Sequence, residues 1–196
     1  MTETNSTEIS QNGGVIEYLP ILTSAVALIF SVIGLVRVAN IYRQIIYAGQ
    51  ALICIYLLVN ICLHLKKGGI GYLKVALYAY AVIEALRATI LVTIGIIPLV
   101  GYDARFILIL LACSCVLTAE RLGRPGQEIA ALSIVILEVV LYLVFLLGFP
   151  GVIHGRLNRF YPIVGVLIGL TFFILIRKGK AETSGSNDAA PSSNQQ

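Results

Sequence analysis

Six long apolar stretches constrain the fold of this chain more than any other feature. A helix needs roughly 20 predominantly apolar residues to cross a bilayer, with a range of about 17–25. The stretches are apolar on all sides, which is typical of helices in lipid, whereas the strands of membrane barrels alternate apolar and polar residues. We therefore predict an all-α integral membrane protein, a bundle of about six transmembrane helices with short loops. The predicted spans are residues 18–36, 44–65, 75–100, 102–119, 129–149 and 160–176.

The fourth span is the weakest of the six. Its uncharged part, Phe106 to Ala119, has only 14 residues. It reaches spanning length only when Asp103 and Arg105 are included at the membrane interface. A five-span arrangement, or a re-entrant segment within residues 75–119, therefore remains an alternative. The connections are short, so helices that are neighbours in sequence should pack antiparallel.

Composition excludes several other classes of protein. The chain is 58% hydrophobic and only 12% charged, against about 45–50% apolar and 25% charged residues in soluble domains. A soluble globular enzyme, a disordered protein and a coiled coil are all excluded on this ground. The basic residues stand singly or in pairs between apolar stretches, where membrane proteins keep their anchoring charges. The expected partner is therefore the lipid bilayer and not nucleic acid.

The two ends of the chain are polar. Residues 1–17 and 178–196 contain few large apolar side chains, and the sequence predicts that both are disordered tails. The first 14 residues contain no Lys or Arg, whereas a signal peptide needs a basic start. We therefore expect the N-terminus to be retained.

The distribution of Lys and Arg predicts the orientation. With six spans both termini share one side, and that side holds eight basic residues against five on the other. Cytoplasmic loops carry the excess of Lys and Arg, so both termini are predicted to be cytoplasmic. The chain is thus expected to be a multi-pass membrane protein, and no address motif assigns it to a particular membrane.

Three charged residues stand inside the predicted spans. Glu84 and Arg87 lie three residues apart in the third span, on one helix face, and Glu138 lies near the middle of the fifth. Tyr80 shares the face of Glu84 and offers a hydrogen-bond donor. A lone charge at mid-bilayer costs about 2.5–3.5 kcal/mol or more, so such residues usually find partners inside the bundle. We predict a buried polar cluster in which Arg87 bridges the two carboxylates.

Small residues in the sixth span predict close helix packing. Gly165 and Gly169 form a small-xxx-small pattern, which allows a neighbouring helix to approach closely. The pattern does not say whether that neighbour belongs to this chain or to another subunit.

Basic residues in two connections are candidates for contacts with lipid headgroups. They are Arg121 and Arg124 on one side, and His154, Arg156 and Arg159 on the other. The alternative is that they are ordinary interfacial anchors.

No metal or cofactor is expected from the sequence. The chain has two histidines and four cysteines, and the cysteines all lie within apolar stretches, where we expect them to pack as small thiols. A catalytic zinc site usually takes three protein ligands, and no such cluster is visible. A glycine-rich phosphate loop and a Gly-x-Ser-x-Gly elbow are also absent from the sequence.

Three functions remain compatible with these features. The first is an accessory or assembly subunit of a membrane complex, favoured by the small size, short loops and packing glycines. The second is a small transporter or channel that uses Glu84, Arg87 and Glu138. The third is an intramembrane enzyme acting on a lipid or isoprenoid substrate, with Glu84 or Glu138 as acid or base and Tyr80 as a helper. Whether the chain is an enzyme is left open by the sequence.

Overall fold

The chain folds into helices. The computed structural model describes residues 6–64, 70–93, 98–147 and 160–187, and side chains within 18–64, 70–89, 104–144 and 163–180. The described residues form six α-helices and no strand. The helices are α1 (Ser6–Arg37), α2 (Ile41–His64), α3 (Tyr72–Thr93), α4 (Pro98–Glu120), α5 (Gln127–Leu147) and α6 (Phe160–Asn187).

Three of these helices have stretches that are long and apolar enough to cross a membrane. They are Tyr18–Arg37 in α1, Ile41–His64 in α2 and Gln127–Val144 in α5. The all-helical class predicted from the sequence is therefore confirmed for the described residues, together with the presence of apolar helices of membrane-spanning length. Helix α3 carries three charged residues, Lys74, Glu84 and Arg87, whereas the apolar stretch of α5 carries two, Glu128 and Glu138.

The helix bounds differ from the predicted spans in informative places. Helix α1 begins at Ser6 and α6 continues to Asn187, so both extend into the segments for which the sequence predicted disorder. Helix α3 ends at Thr93, before the predicted end at residue 100, and α4 begins at Pro98. Proline suits the first turn of a helix, because its missing N–H has no partner there anyway. Asp103 consequently belongs to α4.

The six helices form a closed ring. Each helix packs against the next one in sequence, and α6 returns to pack against α1. Thr23 of α1 and Thr171 of α6 share a hydrogen bond of 2.7 Å between their hydroxyl oxygens. On the other side of α1, Gly34 lies against the ring of Tyr47 in α2. One apolar core draws buried side chains from all six helices.

Buried positions in each helix recur every three or four residues, as expected for one inward-facing stripe. In α3 this stripe includes Leu73, Leu77 and Tyr80, and it continues through Glu84. The outward face is apolar as well, since Val82 is 67% exposed. Glu84 and Arg87 of α3 and Glu138 of α5 therefore occupy the stripe that faces the core, while aliphatic side chains such as Val82 lie on the outward face.

An asparagine caps the start of α2, and two glycines shape the turn between α4 and α5. The side-chain oxygen of Asn40 accepts hydrogen bonds from the backbone N–H groups of Tyr42 (3.0 Å) and Arg43 (3.4 Å), which caps the start of α2. The turn between α4 and α5 contains Gly123 and Gly126 at φ values of 79° and 82°. Glycine adopts this left-handed conformation without steric penalty.

Candidate functional site

The buried charged residues lie on two helices, α3 and α5, and point into the same part of the core. Helix α3 carries Tyr80, Glu84 and Arg87 on its inward stripe, and α5 places Glu138 between the buried residues Ile134 and Leu141. Tyr80, Glu84 and Glu138 are 0% exposed, and Arg87 is 6% exposed. We call these four side chains the acidic cluster. The structure thus puts the charged residues that the sequence singled out inside the helix ring.

Arg87 pairs with Glu84 within α3. Its Nη1 lies 3.1 Å from Glu84 Oε2 and donates a hydrogen bond to it. The half of the predicted bridge that joins Arg87 to Glu84 is therefore present, and the half that joins Arg87 to Glu138 stays a prediction. The three-residue spacing explains this pairing, since residues at i and i+3 of a helix are already neighbours before any tertiary contact forms.

Tyr80 joins α3 to α5. Its hydroxyl donates a hydrogen bond to Glu138 Oε1. The ring of Tyr80 is held in turn by Phe172 of α6, at 5.9 Å between centroids and 63° between planes, which is a favourable edge-to-face geometry. The donor is therefore positioned by packing from a third helix.

Gly165 makes room for the Glu138 carboxyl group. A Cβ added at residue 165 would collide with the carboxylate atoms of Glu138. Four residues later, a Cβ at Gly169 would meet only Ile134 Cγ2, at 3.4 Å, and Val135 at 3.7 Å. Both glycines of the predicted packing pattern consequently face α5 of the same chain. Sequence reasoning identified the pattern but not that a carboxyl group occupies it.

Several polar atoms in the ring are buried with no hydrogen-bond partner among the described residues. They are Glu84 Oε1, Glu138 Oε2, Ser24 Oγ and both amide atoms of Gln50. Leaving such an atom unpaired typically costs about 1–3 kcal/mol. Native proteins seldom retain these atoms without a ligand, an ion, a proton or water to satisfy them. The interior of the ring therefore holds polar atoms whose hydrogen-bonding capacity the described residues do not meet.

Gln50 is a residue that sequence reasoning missed. It lies in α2 and is fully buried. Its neighbour Gly49 abuts Ile83, whose Cδ1 lies 2.6 Å from where a Cβ on Gly49 would stand. Gln50 and Glu84 thus follow two residues that approach each other, Gly49 and Ile83, and lie at a similar level of the bundle. The available signal was an amide among the apolar residues 45–59, since polar groups in such stretches usually face the interior.

The candidate lipid contacts fall into two groups. Arg121 and Arg124 are exposed in the turn between α4 and α5. The Arg121 guanidinium donates to the backbone carbonyl of Pro125 at 3.5 Å. His154, Arg156 and Arg159 lie outside the described residues.

A second polar cluster occupies the surface at the end of the ring where α3 begins and α4 ends. Lys74 Nζ lies 3.7 Å from Glu120 Oε1, and the Tyr78 hydroxyl donates to the same carboxylate. We call these three residues the surface cluster. The Tyr78 hydroxyl, followed by the charge of Lys74, holds the pKa of the Glu120 carboxyl below its usual value of 4.5. At the same end Lys180 pairs with Glu128 at 3.2 Å.

Metal-ligating residues do not gather in the part of the chain that the structure describes. Within it, no three His, Cys, Asp or Glu side chains are arranged to hold a metal ion. No protein-family model, curated protein or solved structure matches the chain. The chemistry of the acidic cluster is therefore the basis for a functional proposal.

Proposed function

We propose that this chain is a six-span membrane protein that acts as a small transporter or channel, with Glu84 and Glu138 binding the transported cation. The observation that carries the proposal is that each carboxylate is fully buried and keeps one oxygen without a hydrogen-bond partner in the part of the chain that the structure describes. Ionisable groups inside a membrane bundle commonly mark ion or proton pathways. Arg87 compensates part of the negative charge at 3.1 Å from Glu84.

Two features support six spans. Helix α3 has 22 residues, which at about 1.5 Å per residue is enough to cross a hydrocarbon core of about 30 Å. The ring also places α3, α4 and α6 beside the three helices that are apolar enough to span. The excess of Lys and Arg on the side of the termini supports cytoplasmic termini.

The packing glycines give less support to the assembly-subunit hypothesis than they did in the sequence. Gly165 and Gly169 both face α5 of the same chain, so they are not free to receive another subunit. The intramembrane-enzyme hypothesis requires substrate access between α3 and α5. Tyr80 and Glu138 are in direct contact there. The transport proposal needs no external partner.

Flux measurements on purified protein in liposomes test the proposal. Proton, sodium and potassium movement would be followed separately with selective dyes under an imposed potential. We expect at least one of these fluxes to exceed that of protein-free liposomes, and to fall at least tenfold in Glu138→Gln and in Glu84→Gln. Glu128→Gln is the matched control, because it makes the same change on α5 at the partly exposed pair with Lys180.

Two results would contradict the proposal. One is flux no greater than that of protein-free liposomes, and the other is equal flux in wild type and Glu138→Gln. Native mass spectrometry of the gently extracted protein provides an independent check. Stoichiometric partner subunits in that measurement would favour the assembly-subunit hypothesis instead.

A further inference from the structure

We propose that the acidic cluster holds one proton, that this proton resides on Oε2 of Glu138, and that Glu84 remains the ionised partner of Arg87. The two carboxylates would then have different tasks. Glu138 exchanges the proton, and Glu84 fixes the local charge. The inference rests on the proposed function only in naming the proton as the transported species; the proton count is measured without transport.

The charge of the cluster requires one added positive charge. Glu84 and Glu138 carry two negative charges when both are ionised, against one positive charge on Arg87. All three side chains are buried, and among the described residues the charged side chains that act on Glu138 are Glu84 and Arg87. An isolated net charge in a low-dielectric interior is so costly that the group neutralises instead. One proton or one monovalent cation restores neutrality.

The hydrogen bonds indicate which carboxyl group is neutral. Glu84 Oε2 accepts from the Arg87 guanidinium at 3.1 Å, a charge-assisted bond that favours the ionised acid. Glu138 Oε1 accepts from the neutral hydroxyl of Tyr80. A protonated carboxyl group still offers one acceptor oxygen and carries its O–H on the other. Glu138 Oε2 and Glu84 Oε1 both lack a hydrogen-bond partner among the described residues, so the guanidinium bound to Glu84 is the observation that assigns the proton to Glu138.

The surroundings of Glu138 favour a proton over a metal cation. The carboxyl group sits in the notch of Gly165, where even one added carbon would collide with it. Hard divalent cations take six or more oxygen ligands, whereas each carboxylate of the cluster contributes one unpartnered oxygen. A proton needs neither space nor a coordination shell.

The other titratable groups around the cluster are neutral when the interior is dry. Helix α3 contributes Tyr80 together with Glu84 and Arg87, and α4 contributes the buried thiol of Cys115. Helix α2 contributes Tyr47 beside Arg87. Helix α6 presents Gly165 and Phe172, which do not titrate. Among the described side chains, the excess charge therefore stays with the two carboxylates.

Infrared spectroscopy of the purified protein counts the proton directly. A protonated carboxyl group gives a carbonyl band that shifts in D₂O, which separates it from lipid esters. At neutral pH we expect one such group in the wild type and none in Glu138→Gln. Glu84→Gln should also lose it, because Glu138 then balances Arg87 alone. Arg87→Gln should show two, because no cation remains.

Tyr80→Phe and Gly165→Ala together identify the acid that carries the proton. The Tyr80 hydroxyl donates to Glu138 and also lies within hydrogen-bonding reach of Glu84, whereas the atoms nearest to a Cβ added at residue 165 all belong to the carboxyl group of Glu138. A band that persists at a shifted frequency in both variants therefore belongs to Glu138. Tyr78→Phe and Gly169→Ala are the matched controls and should leave the band unmoved. These variants also keep the test decisive if Arg87→Gln does not fold.

Each outcome decides the inference. A wild type without the band, a band that survives in Glu138→Gln, or an unmoved band in Tyr80→Phe would overturn it. In liposomes, a proton flux that falls at least tenfold in Glu138→Gln supports the proton as cargo, and flux of sodium or potassium alone overturns that part. A single protonated Glu138 without any flux would contradict the proposed function and leave the proton assignment standing.

Discussion

The acidic cluster and the surface cluster use the same residue types in different surroundings. Each has a tyrosine that donates to a glutamate and a basic side chain that pairs with a glutamate. At the surface, the side chains of Lys74 and Glu120 are 49% and 56% exposed. In the acidic cluster, those of Arg87 and Glu84 are 7% and 0% exposed.

The difference shows what water contributes to such a group. Water solvates every atom of the surface cluster that the protein leaves unpaired, so its exposed ion pair adds little to stability. The acidic cluster is shielded from water, so a proton or an ion must take the place of each missing partner. The same chemical change should therefore have unequal effects in the two places. Of the four comparisons below, the first and third make the same change in both clusters, and the second and fourth each test one cluster.

The largest difference is expected for loss of the basic partner. Arg87→Leu leaves two buried carboxylates without their cation, and breaking a buried pair in this way typically costs about 3–5 kcal/mol. Lys74→Leu removes the equivalent charge from the surface cluster and should change stability little. Thermal and chemical unfolding in detergent measure both variants. Equal stability of the two would show that Arg87 does not hold the acidic cluster together.

The second comparison concerns the space beside Glu138. Gly165→Ala drives a methyl group into the carboxyl group, and overpacking of this kind costs about 1–3 kcal/mol. Gly169→Ala is the control, because its methyl group would meet Ile134 at 3.4 Å, an ordinary contact. It should be neutral or stabilise by up to about 1 kcal/mol, since alanine is the better helix former. A stable Gly165→Ala variant would contradict the close fit of α6 on Glu138.

The third comparison removes one hydroxyl at a time. Tyr80→Phe leaves Glu138 Oε1 without its donor in a dry site, which should lower the free energy of unfolding by about 1–2 kcal/mol. Tyr78→Phe deprives Glu120 of a donor that water replaces, and its effect should be smaller. Unfolding of both variants under the same conditions tests this order. A larger loss of stability in Tyr78→Phe than in Tyr80→Phe would contradict the proposed influence of water.

The smallest effect is expected for the pH dependence of the surface cluster. Because the folded state lowers the pKa of Glu120 below 4.5, the contact stabilises the protein above that pH. Its contribution is lost as the pH falls through the folded-state pKa. The difference in melting temperature between wild type and Glu120→Gln should therefore be constant near neutrality and shrink below about pH 4.5. A difference that persists in acid would mean that the carboxylate charge is not what matters.

The helical class could be predicted from the sequence because apolar length is a local property. Runs such as residues 44–65 need no tertiary information to be recognised. The end of α3 at Thr93 could not be read in this way, because apolar residues continue past it. Helix α1 begins at Ser6 although its first turns are polar. Composition alone is therefore a poor guide to the first and last residues of a helix.

The candidate site was predictable in membership but not in pairing. Charges inside apolar stretches identified Glu84, Arg87 and Glu138, since burial of a charge is visible from its neighbours in sequence. That Glu138 accepts a hydrogen bond from Tyr80 depends on the rotation of α5 relative to α3. That rotation is set by contacts such as Gly165 with Glu138, which join residues far apart in the chain.

The pairing of Glu84 with Arg87 also bears on how the protein is made. In the six-span arrangement proposed above, α3 enters the bilayer before α5 has been synthesised. Its acid and its base lie one turn apart and 3.1 Å from each other, so the segment neutralises itself and needs no later helix to do so. Glu138 arrives afterwards and meets a donor already in place on Tyr80. The order of the residues along the chain thus lets each charge enter the lipid with its partner beside it or waiting.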